Sequence, residues 1–257
     1  MVRTPITDLP VGWRRATGHD DLLLVEGGVD LATAVRVVDG RALLPPYDDG
    51  RPRAAGQLPV GDVDALVVAL RVSRLGDRMI AEGACGRCGA RVDVDFGLAD
   101  YVAHRRPRRS RAAEPDTEPG WWRLRGTDTV FRLPTADDVL AATDGGPAAL
   151  RQACVRGTAP TAAVERVMAV LAPVLRTTVT GACPECGQPV ELDVDVRALC
   201  LAELGFLAGA VLDEVHLLAA AYHWGERAIL DLPGERRHAY AERIRLSAGA
   251  AVEVTHV

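Results

Sequence analysis

Apolar and polar residues follow two different periods along the chain, and each period predicts its own kind of element. Leucines and valines recur at three- and four-residue spacing within 66–75 and again within 164–175, which predicts helices. Strict alternation of apolar with acidic residues covers 92–96 and 190–196, which predicts half-buried strands with an acidic outer face. The chain therefore predicts an α+β protein.

Between each predicted helix and its strand lies a Cys-x-x-Cys segment. The segments 83–95 and 181–193 match without a gap at an offset of 98 residues, and share both cysteines, the preceding Gly-Ala and the following glycine. Farther upstream, Leu-Pro at 58–59 and at 133–134 each precedes an acidic stretch that is typical of a helix start. We predict a unit of helix, zinc knuckle and strand that occurs twice as a pseudo-repeat.

The two knuckles supply four thiols in the pattern that zinc sites use. Zinc prefers four ligands in a tetrahedron, and a Cys-x-x-Cys turn presents two sulfurs to one ion. We predict a structural Zn²⁺ site formed by the four knuckle cysteines, Cys85, Cys88, Cys183 and Cys186. A full shell of four thiolates leaves no open position, so this site predicts stabilisation and not hydrolysis. The spacing leaves open whether one ion is shared or two separate sites form.

Two other interpretations of these cysteines remain. A redox dithiol would begin a helix after a strand, whereas each pair here precedes strand-like alternation. Alternatively, the four cysteines are unligated core residues. Cys154 and Cys200 have no partner at ligand spacing and are expected to be small buried apolar residues. His216 and His223 lack a matching carboxylate or cysteine, which favours ordinary helix histidines over metal ligands.

The remaining patterns divide the chain into five parts. The run 105–120 is rich in arginine and proline without apolar periodicity, which predicts a linker or exposed loop. Apolar residues on both sides of 126–128 predict a β-hairpin, and one apolar stripe over 201–222 predicts a long helix followed by two shorter ones. The predicted parts are an N-terminal helical or irregular segment (1–57), a first knuckle repeat (58–104), the linker (105–120), a second knuckle repeat (121–197) and a C-terminal helical cap (198–257).

Composition and charge limit the functional classes. The chain has 257 residues, of which 48% are hydrophobic, and a net charge of −5, which argues against a whole-chain preference for nucleic acid or anionic membrane. The arginines of 105–111 are expected to lie in a solvated loop, because no aromatic residues interleave with them. Without an apolar run of signal-peptide or bilayer length, a cytoplasmic protein with reduced thiols is expected. The sequence carries no P-loop, dinucleotide fingerprint or nucleophile elbow, and we predict no enzymatic activity.

A longer series of motifs resembles a known family. Leu-Pro-Val-Gly-Asp at 58–62 leads into the first knuckle, and Phe-Arg-Leu-Pro-Thr-Ala-Asp-Asp at 131–138 opens the second half. Glu-Val-His at 214–216 is followed by Tyr-x-Trp-x-Glu-x-x-Ile-Leu at 222–230. In this order the motifs resemble phage baseplate hub assembly proteins, a family encoded in gene clusters of contractile tails and extracellular contractile injection systems. The resemblance covers roughly residues 58–246, since 1–57 match only loosely.

This resemblance implies an accessory role in building a contractile-tail baseplate, through contacts with baseplate or other tail proteins. It implies no enzymatic activity, and only the four knuckle cysteines carry over as a site. Three alternatives stay open: a permanent structural subunit of the baseplate, a nucleic-acid-binding zinc ribbon, and a thiol oxidoreductase. The acidic strand faces argue against the second of these, because nucleic-acid binding needs cations that replace the counterions of the phosphates.

Overall fold

Helices and short antiparallel strands alternate through residues 1–254, which the computed structural model describes, with side chains for 1–247. The helices are α1 (Gly18–Glu26), α2 (Leu31–Arg41), α3 (Val60–Leu75), α4 (Leu98–His104), α5 (Ala136–Ala141), α6 (Gly146–Cys154), α7 (Thr161–Leu171), α8 (Val196–Ala208), α9 (Ala210–Tyr222), α10 (Glu226–Leu230) and α11 (Gly234–Val254). The strands are β1 (Val2–Arg3), β2 (Pro10–Trp13), β3 (Ala42–Leu43), β4 (Arg78–Ala84), β5 (Arg91–Gly97), β6 (Ala113–Pro115), β7 (Trp121–Leu124), β8 (Val130–Arg132), β9 (Val155–Arg156), β10 (Arg176–Ala182) and β11 (Pro189–Asp195). This mixture confirms the α+β class.

The strands form four small sheets in the described part of the chain. Their orders are β1-β2-β3, β4-β5, β6-β7-β8-β9 and β10-β11. All the strand pairs are antiparallel, and each of the two longest pairs, β4-β5 and β10-β11, is a hairpin closed by a knuckle. In both hairpins the strand after the knuckle turns acidic side chains outward, as its alternation predicts, except that Asp195 is half-buried and caps α8.

The strands before the knuckles correct the sequence interpretation, which placed a strand only after each knuckle. β4 reads Arg-Met-Ile-Ala-Glu-Gly-Ala and β10 reads Arg-Thr-Thr-Val-Thr-Gly-Ala, with little of the alternation that marks β5 and β11. They are strands because each pairs along its whole length with the strand that follows the knuckle. Corresponding strands of the two hairpins lie 98 residues apart, and each hairpin lies between two helices.

The main hydrophobic core lies between α2, α3 and α8 and extends to the bases of both hairpins. α3 is buried on most of its circumference, which is typical of a central helix. Arg71 on α3 donates to Glu203 on α8 at 2.6 Å, so an ion pair supports the helix contact. The core therefore crosses the predicted boundaries, since α2, α3 and α8 come from three of the five predicted parts.

A second hydrophobic cluster packs the four-stranded sheet against α7, around the fully buried Phe131. The predicted hairpin around 126–128 is confirmed as β7 and β8. The prediction of a linker or exposed loop over 105–120 is wrong for β6, because Ala113 is buried and pairs with Leu124 of β7. A strand of three residues is too short to show an apolar period in the sequence. β6 is a strand because it pairs with β7.

The C-terminal helices α9, α10 and α11 form a hydrophobic cluster of their own and contact α1. The predicted single helix over 201–222 is two helices, α8 and α9, which meet at Gly209 with nearly helical dihedral angles. α11 packs along α9, and the buried Arg237 of α11 donates to Glu214 of α9 at 2.6 Å and to Asp21 of α1. An ion network thus attaches the C-terminal helices to the N-terminal segment. None of the helices within 1–254 has the length and apolar character that crossing a bilayer requires.

Candidate metal centre

Each knuckle is a tight turn at the tip of its hairpin. In the first, the Cys85 N–H donates to the Ala90 oxygen at 2.8 Å, and the Gly89 N–H donates to the Cys85 oxygen at 2.9 Å. The second knuckle repeats both bonds at the equivalent positions, again at 2.8 and 2.9 Å. The two tips therefore share one backbone conformation, which points both sulfurs of a pair in the same direction.

The glycine after the second cysteine permits this conformation. Gly89 has a φ of +73° and Gly187 has a φ of +68°, in the left-handed region where a Cβ atom clashes with the backbone. The space around both glycines is open, so the backbone angle and not crowding requires glycine at these positions.

The structure brings all four predicted ligands together. Their sulfur atoms lie within 4.8 Å of one another. The Cys85 and Cys186 sulfurs are 3.7 Å apart, and so are those of Cys88 and Cys183, so sulfurs of one hairpin contact those of the other. A tetrahedron with metal–sulfur bonds of about 2.3 Å has sulfur–sulfur edges of about 3.8 Å. The separations therefore fit one shared ion better than two separate sites.

These distances do not fit a disulfide. A sulfur–sulfur bond is about 2.05 Å long, well below the 3.7 Å that separates Cys85 from Cys186 and Cys88 from Cys183. A redox dithiol would also be expected to bring together the two cysteines of one Cys-x-x-Cys pair. Here the sulfurs of each pair also contact those of the other hairpin, which favours a site that both hairpins share.

The backbone already favours a thiolate at one of the four positions. Hydrogen bonds from the amides of Cys88 and Arg87 lower the pKa of Cys85 to about 6. The Gln188 amide favours the Cys186 thiolate as well, but desolvation and hydrogen bonds with the other thiols outweigh it and raise the pKa of Cys186 to about 12. Neighbouring thiols cannot all ionise without a compensating cation, because each thiolate disfavours the next. A divalent metal ion would supply that charge.

A small apolar cluster surrounds the sulfurs. Cys85 and Cys183 are buried, whereas Cys88 is exposed and Cys186 is half-buried. The cluster is completed by side chains from both hairpins, namely Ala90, Val92, Val190 and Leu192. One face of the site is thus shielded from water and the other is open to it. This small cluster buries little apolar surface with which to hold the two tips together.

The other cysteines and the histidines lie elsewhere. Cys154 and Cys200 are buried, as predicted, and desolvation raises the pKa of Cys154 to about 11 and that of Cys200 to about 12. His216 is exposed on α9, and His223 ends that helix with a φ of +57°. Among the described residues, no other group of three or more histidine, cysteine or acidic side chains converges in this way.

Buried ion pairs that the sequence did not predict link helices away from the four thiols. Asp64 on α3 accepts a hydrogen bond from Arg197 on α8 at 3.2 Å, and desolvation raises the pKa of Asp64 to about 6 although Arg197 opposes the shift. Arg237 lies between two carboxylates from other helices. The only sign of such a pair in the sequence is an acidic residue within an apolar helix, such as Asp64 in α3. An acidic residue on the exposed side of a helix gives the same pattern, so the sequence does not distinguish the two.

No family model, no curated protein and no solved structure matches the chain. The resemblance to baseplate proteins therefore rests on the sequence motifs alone, whereas the four-thiol site rests on geometry. The residues present can hold a tetrahedral, thiolate-preferring metal ion, and zinc is the ion that such donors ordinarily bind.

Proposed function

We propose that the four knuckle cysteines bind one structural Zn²⁺ ion and that the protein is a non-enzymatic assembly factor for a contractile-tail baseplate. The observation that carries the metal proposal is the convergence of four sulfurs from two hairpins at tetrahedral separations. The baseplate role is supported by the series of motifs between 58 and 246.

A shared ion would join segments that are far apart in the sequence. The hairpin tips otherwise touch through one small apolar cluster, whereas zinc bound to four thiolates contributes on the order of 10 kcal/mol to folding. When bound, the ion supplies metal–sulfur bonds and offsets thiolate charge. The protein's own residues set the sulfur positions, through the paired strands and the left-handed glycines.

The likeness of the two hairpins supports a pseudo-repeat of helix, knuckle and strand. The two hairpins have equal strand lengths, equal knuckle hydrogen bonds and a constant offset of 98 residues. An exposed ion pair also recurs at equivalent positions, between Arg78 and Asp95 and between Arg176 and Asp193. We infer that the metal joins two related halves and the C-terminal helices cover the core on one side.

The metal proposal is tested first by composition and spectroscopy. Purified protein should contain one zinc per chain, and replacement by Co²⁺ should produce the intense thiolate charge-transfer and tetrahedral d–d bands of a four-sulfur site. Two metal ions per chain would contradict the shared site. Metal-free protein with a reversible disulfide between Cys85 and Cys88 would favour a thiol oxidoreductase.

Substitution of a ligand tests the stabilising role. Cys85→Ser should abolish stoichiometric zinc binding and lower the free energy of unfolding by several kcal/mol, because the binding energy of the metal is folding energy. Cys154→Ala is the matched control, since it removes an equally buried thiol away from the site and should retain one zinc. A Cys85→Ser protein that unfolds at the same denaturant concentration as the parent would refute the stabilising role of the metal ion.

The assembly role is tested by tagging the protein in its producing host and comparing lysate with purified sheathed particles. Recovery of baseplate proteins from the lysate, with the tagged protein absent from finished particles, is the expected result. Its presence in finished particles would identify a permanent structural subunit instead. Recovery of no tail protein from either fraction would refute the baseplate role and leave the metal site standing.

The nucleic-acid-binding alternative receives little support from the hairpins. Asp93, Glu191 and Asp193 are exposed on their outer faces, where a zinc ribbon that binds phosphate would need cations. Steeply salt-dependent binding of DNA or RNA to the metal-loaded protein would revive this alternative.

A further inference from the structure

The arginine-rich run at 105–111 lies beside an apolar groove. The groove has a volume of about 640 Å³ and receives residues from the N-terminal turn, the arginine-rich run, the β6-β7-β8 sheet and the end of α7. Its apolar lining includes Ile6, Trp122, Leu133 and Leu171. The first three are only half-buried, so a ligand can reach the apolar surface.

Arginines form the rim of this groove. Arg125 pairs with Glu114 at 3.1 Å, which offsets both charges. Arg108 and Arg109 are exposed and form no ion pair with another described residue. The rim therefore carries two uncompensated positive charges in a protein whose net charge is −5.

The rim is held in place by backbone hydrogen bonds. The Arg108 N–H donates to the Val170 oxygen of α7 at 2.9 Å, and the Arg125 N–H donates to the Ala112 oxygen at 2.9 Å. Both ends of the arginine-rich segment are thus tied to ordered elements. A ligand that meets a preorganised rim loses less conformational entropy on binding than one that must order a loose loop.

We propose that this groove docks an acidic segment of a partner protein, with an apolar side chain of the segment placed among Trp122 and Leu133. Carboxylates of the segment would accept charge-assisted hydrogen bonds from Arg108 and Arg109. The proposal rests on the proposed function in one respect, that the protein acts by binding another protein.

A single-stranded nucleic acid fits the groove less well. Such strands bind through successive aromatic rings on which their bases stack, and the groove offers one half-buried ring, Trp122. The aliphatic side chains of Ile6, Leu133 and Leu171 have no counterpart in a phosphodiester backbone. An apolar peptide side chain would remove these groups from water, which favours a peptide.

The test measures binding of three polymers to the metal-loaded full-length protein by fluorescence anisotropy. The first is a random copolymer of glutamate and tyrosine, which presents acidic residues beside apolar rings in many registers. Polyglutamate of equal length tests charge alone, and an oligothymidylate tests nucleic acid. We expect the copolymer to bind at least tenfold more tightly than either of the others.

Charge reversal locates the binding. The double variant Arg108→Glu/Arg109→Glu should lower the affinity for the copolymer at least tenfold. Arg36→Glu, on the exposed face of α2 and away from the groove, is the matched control and should leave the affinity unchanged. Because all three arginines are exposed, circular dichroism should show an unaltered fold in both variants.

The proposal is overturned by any of four results: no binding of the copolymer, equal binding of polyglutamate, tighter binding of the oligothymidylate, or copolymer binding that the double variant leaves unchanged. Its failure is distinguishable from failure of the assembly role. Tail proteins recovered from the host alongside a negative copolymer result would remove the groove proposal alone. Copolymer binding without recovery of tail proteins would remove the baseplate role alone.

Discussion

Two local features of the backbone prepare the knuckles for metal binding. Glycines with positive φ close the turns, and backbone amides near the first cysteine of the first hairpin stabilise its thiolate. Both effects act over a few bonds, so they depend on local sequence more than on the rest of the fold. Substitutions at these positions should therefore act on the site with little effect on the core.

Gly89→Ala should lower the free energy of unfolding by about 1 kcal/mol and weaken zinc binding, because alanine is strained at a φ of +73°. Gly86→Ala is the matched control in the same knuckle, where φ is not in the left-handed region and a Cβ meets open space. Denaturant titration and competition with a chromophoric chelator measure the two effects. Equal zinc affinity in both variants would show that the backbone angle does not organise the site.

A second residue-scale expectation concerns Asp138, which caps α5 together with Thr135. Burial would raise the pKa of Asp138, but hydrogen bonds from Arg132 and from Thr135 outweigh it and lower the pKa to about 2. The folded pKa lies below the unfolded value of 3.8, so the stabilisation is present above about pH 4 and is lost as the pH falls through 2.

Asp138→Asn should therefore cost about 1–2 kcal/mol at pH 7, and the difference from the parent should shrink towards pH 2. Comparing each variant with its parent at the same pH cancels the effect of acid on the thiolates. Asp137→Asn, at the exposed neighbouring position of α5, should cost no more than about 0.5 kcal/mol. A difference for Asp138→Asn that does not change between pH 7 and pH 3 would show that the Asp138 charge is not responsible.

At the scale of elements, the two hairpins have equivalent strands and different surroundings. Gly83 in β4 faces Leu192 in β11 so closely that a side chain at this position would overlap with it. The equivalent Gly181 in β10 has open space around it. The hairpins are therefore related by sequence without packing symmetrically, and one glycine allows their close approach.

Gly83→Ala should lower the free energy of unfolding by about 1 kcal/mol, because Leu192 must leave its preferred rotamer to make room. Gly181→Ala should be neutral or slightly stabilising, because alanine reduces the entropy of the unfolded chain without a clash. Urea denaturation of the two variants gives the comparison. Equal losses would contradict the asymmetric contact between the hairpins.

At the scale of the whole molecule, buried ion pairs connect elements that are distant in sequence. Arg71 and Arg197 link α3 with α8, and Arg237 links α11 with α9 and α1. A buried pair adds less to stability than its short distances suggest, because both charges lose water. Removing one partner is costly, since it leaves the other charge buried without compensation.

Arg237→Met should lower the free energy of unfolding by about 3–5 kcal/mol at pH 7, because Asp21 and Glu214 then lose the buried guanidinium that pairs with both of them. His238→Ala is the matched control, since His238 also contacts Glu214 but its side chain is 62% exposed. Thermal unfolding should show a large loss for the first variant and a small one for the second. Similar losses in both would show that the network does not hold α11 in place.

The sequence by itself determined the parts that depend on short stretches of chain. The identity of the four thiols, the acidic outer faces of β5 and β11 and the hairpin of β7 and β8 follow from spacing and alternation. These signals are readable because a turn or a pleat relates residues two to four positions apart. The strands β4 and β10 were missed because neither carries the alternation that marks its partner.

Only the tertiary structure decided how these parts meet. It brought cysteines about a hundred positions apart to within 4.8 Å, placed Trp122 beside the arginines of 105–111, and enclosed Arg237 between carboxylates of two other helices. Such contacts depend on how whole faces of helices and sheets pack, and many distant residues share in that choice. Local spacing therefore predicts which side chains can bind a metal, and packing decides whether they reach the same point.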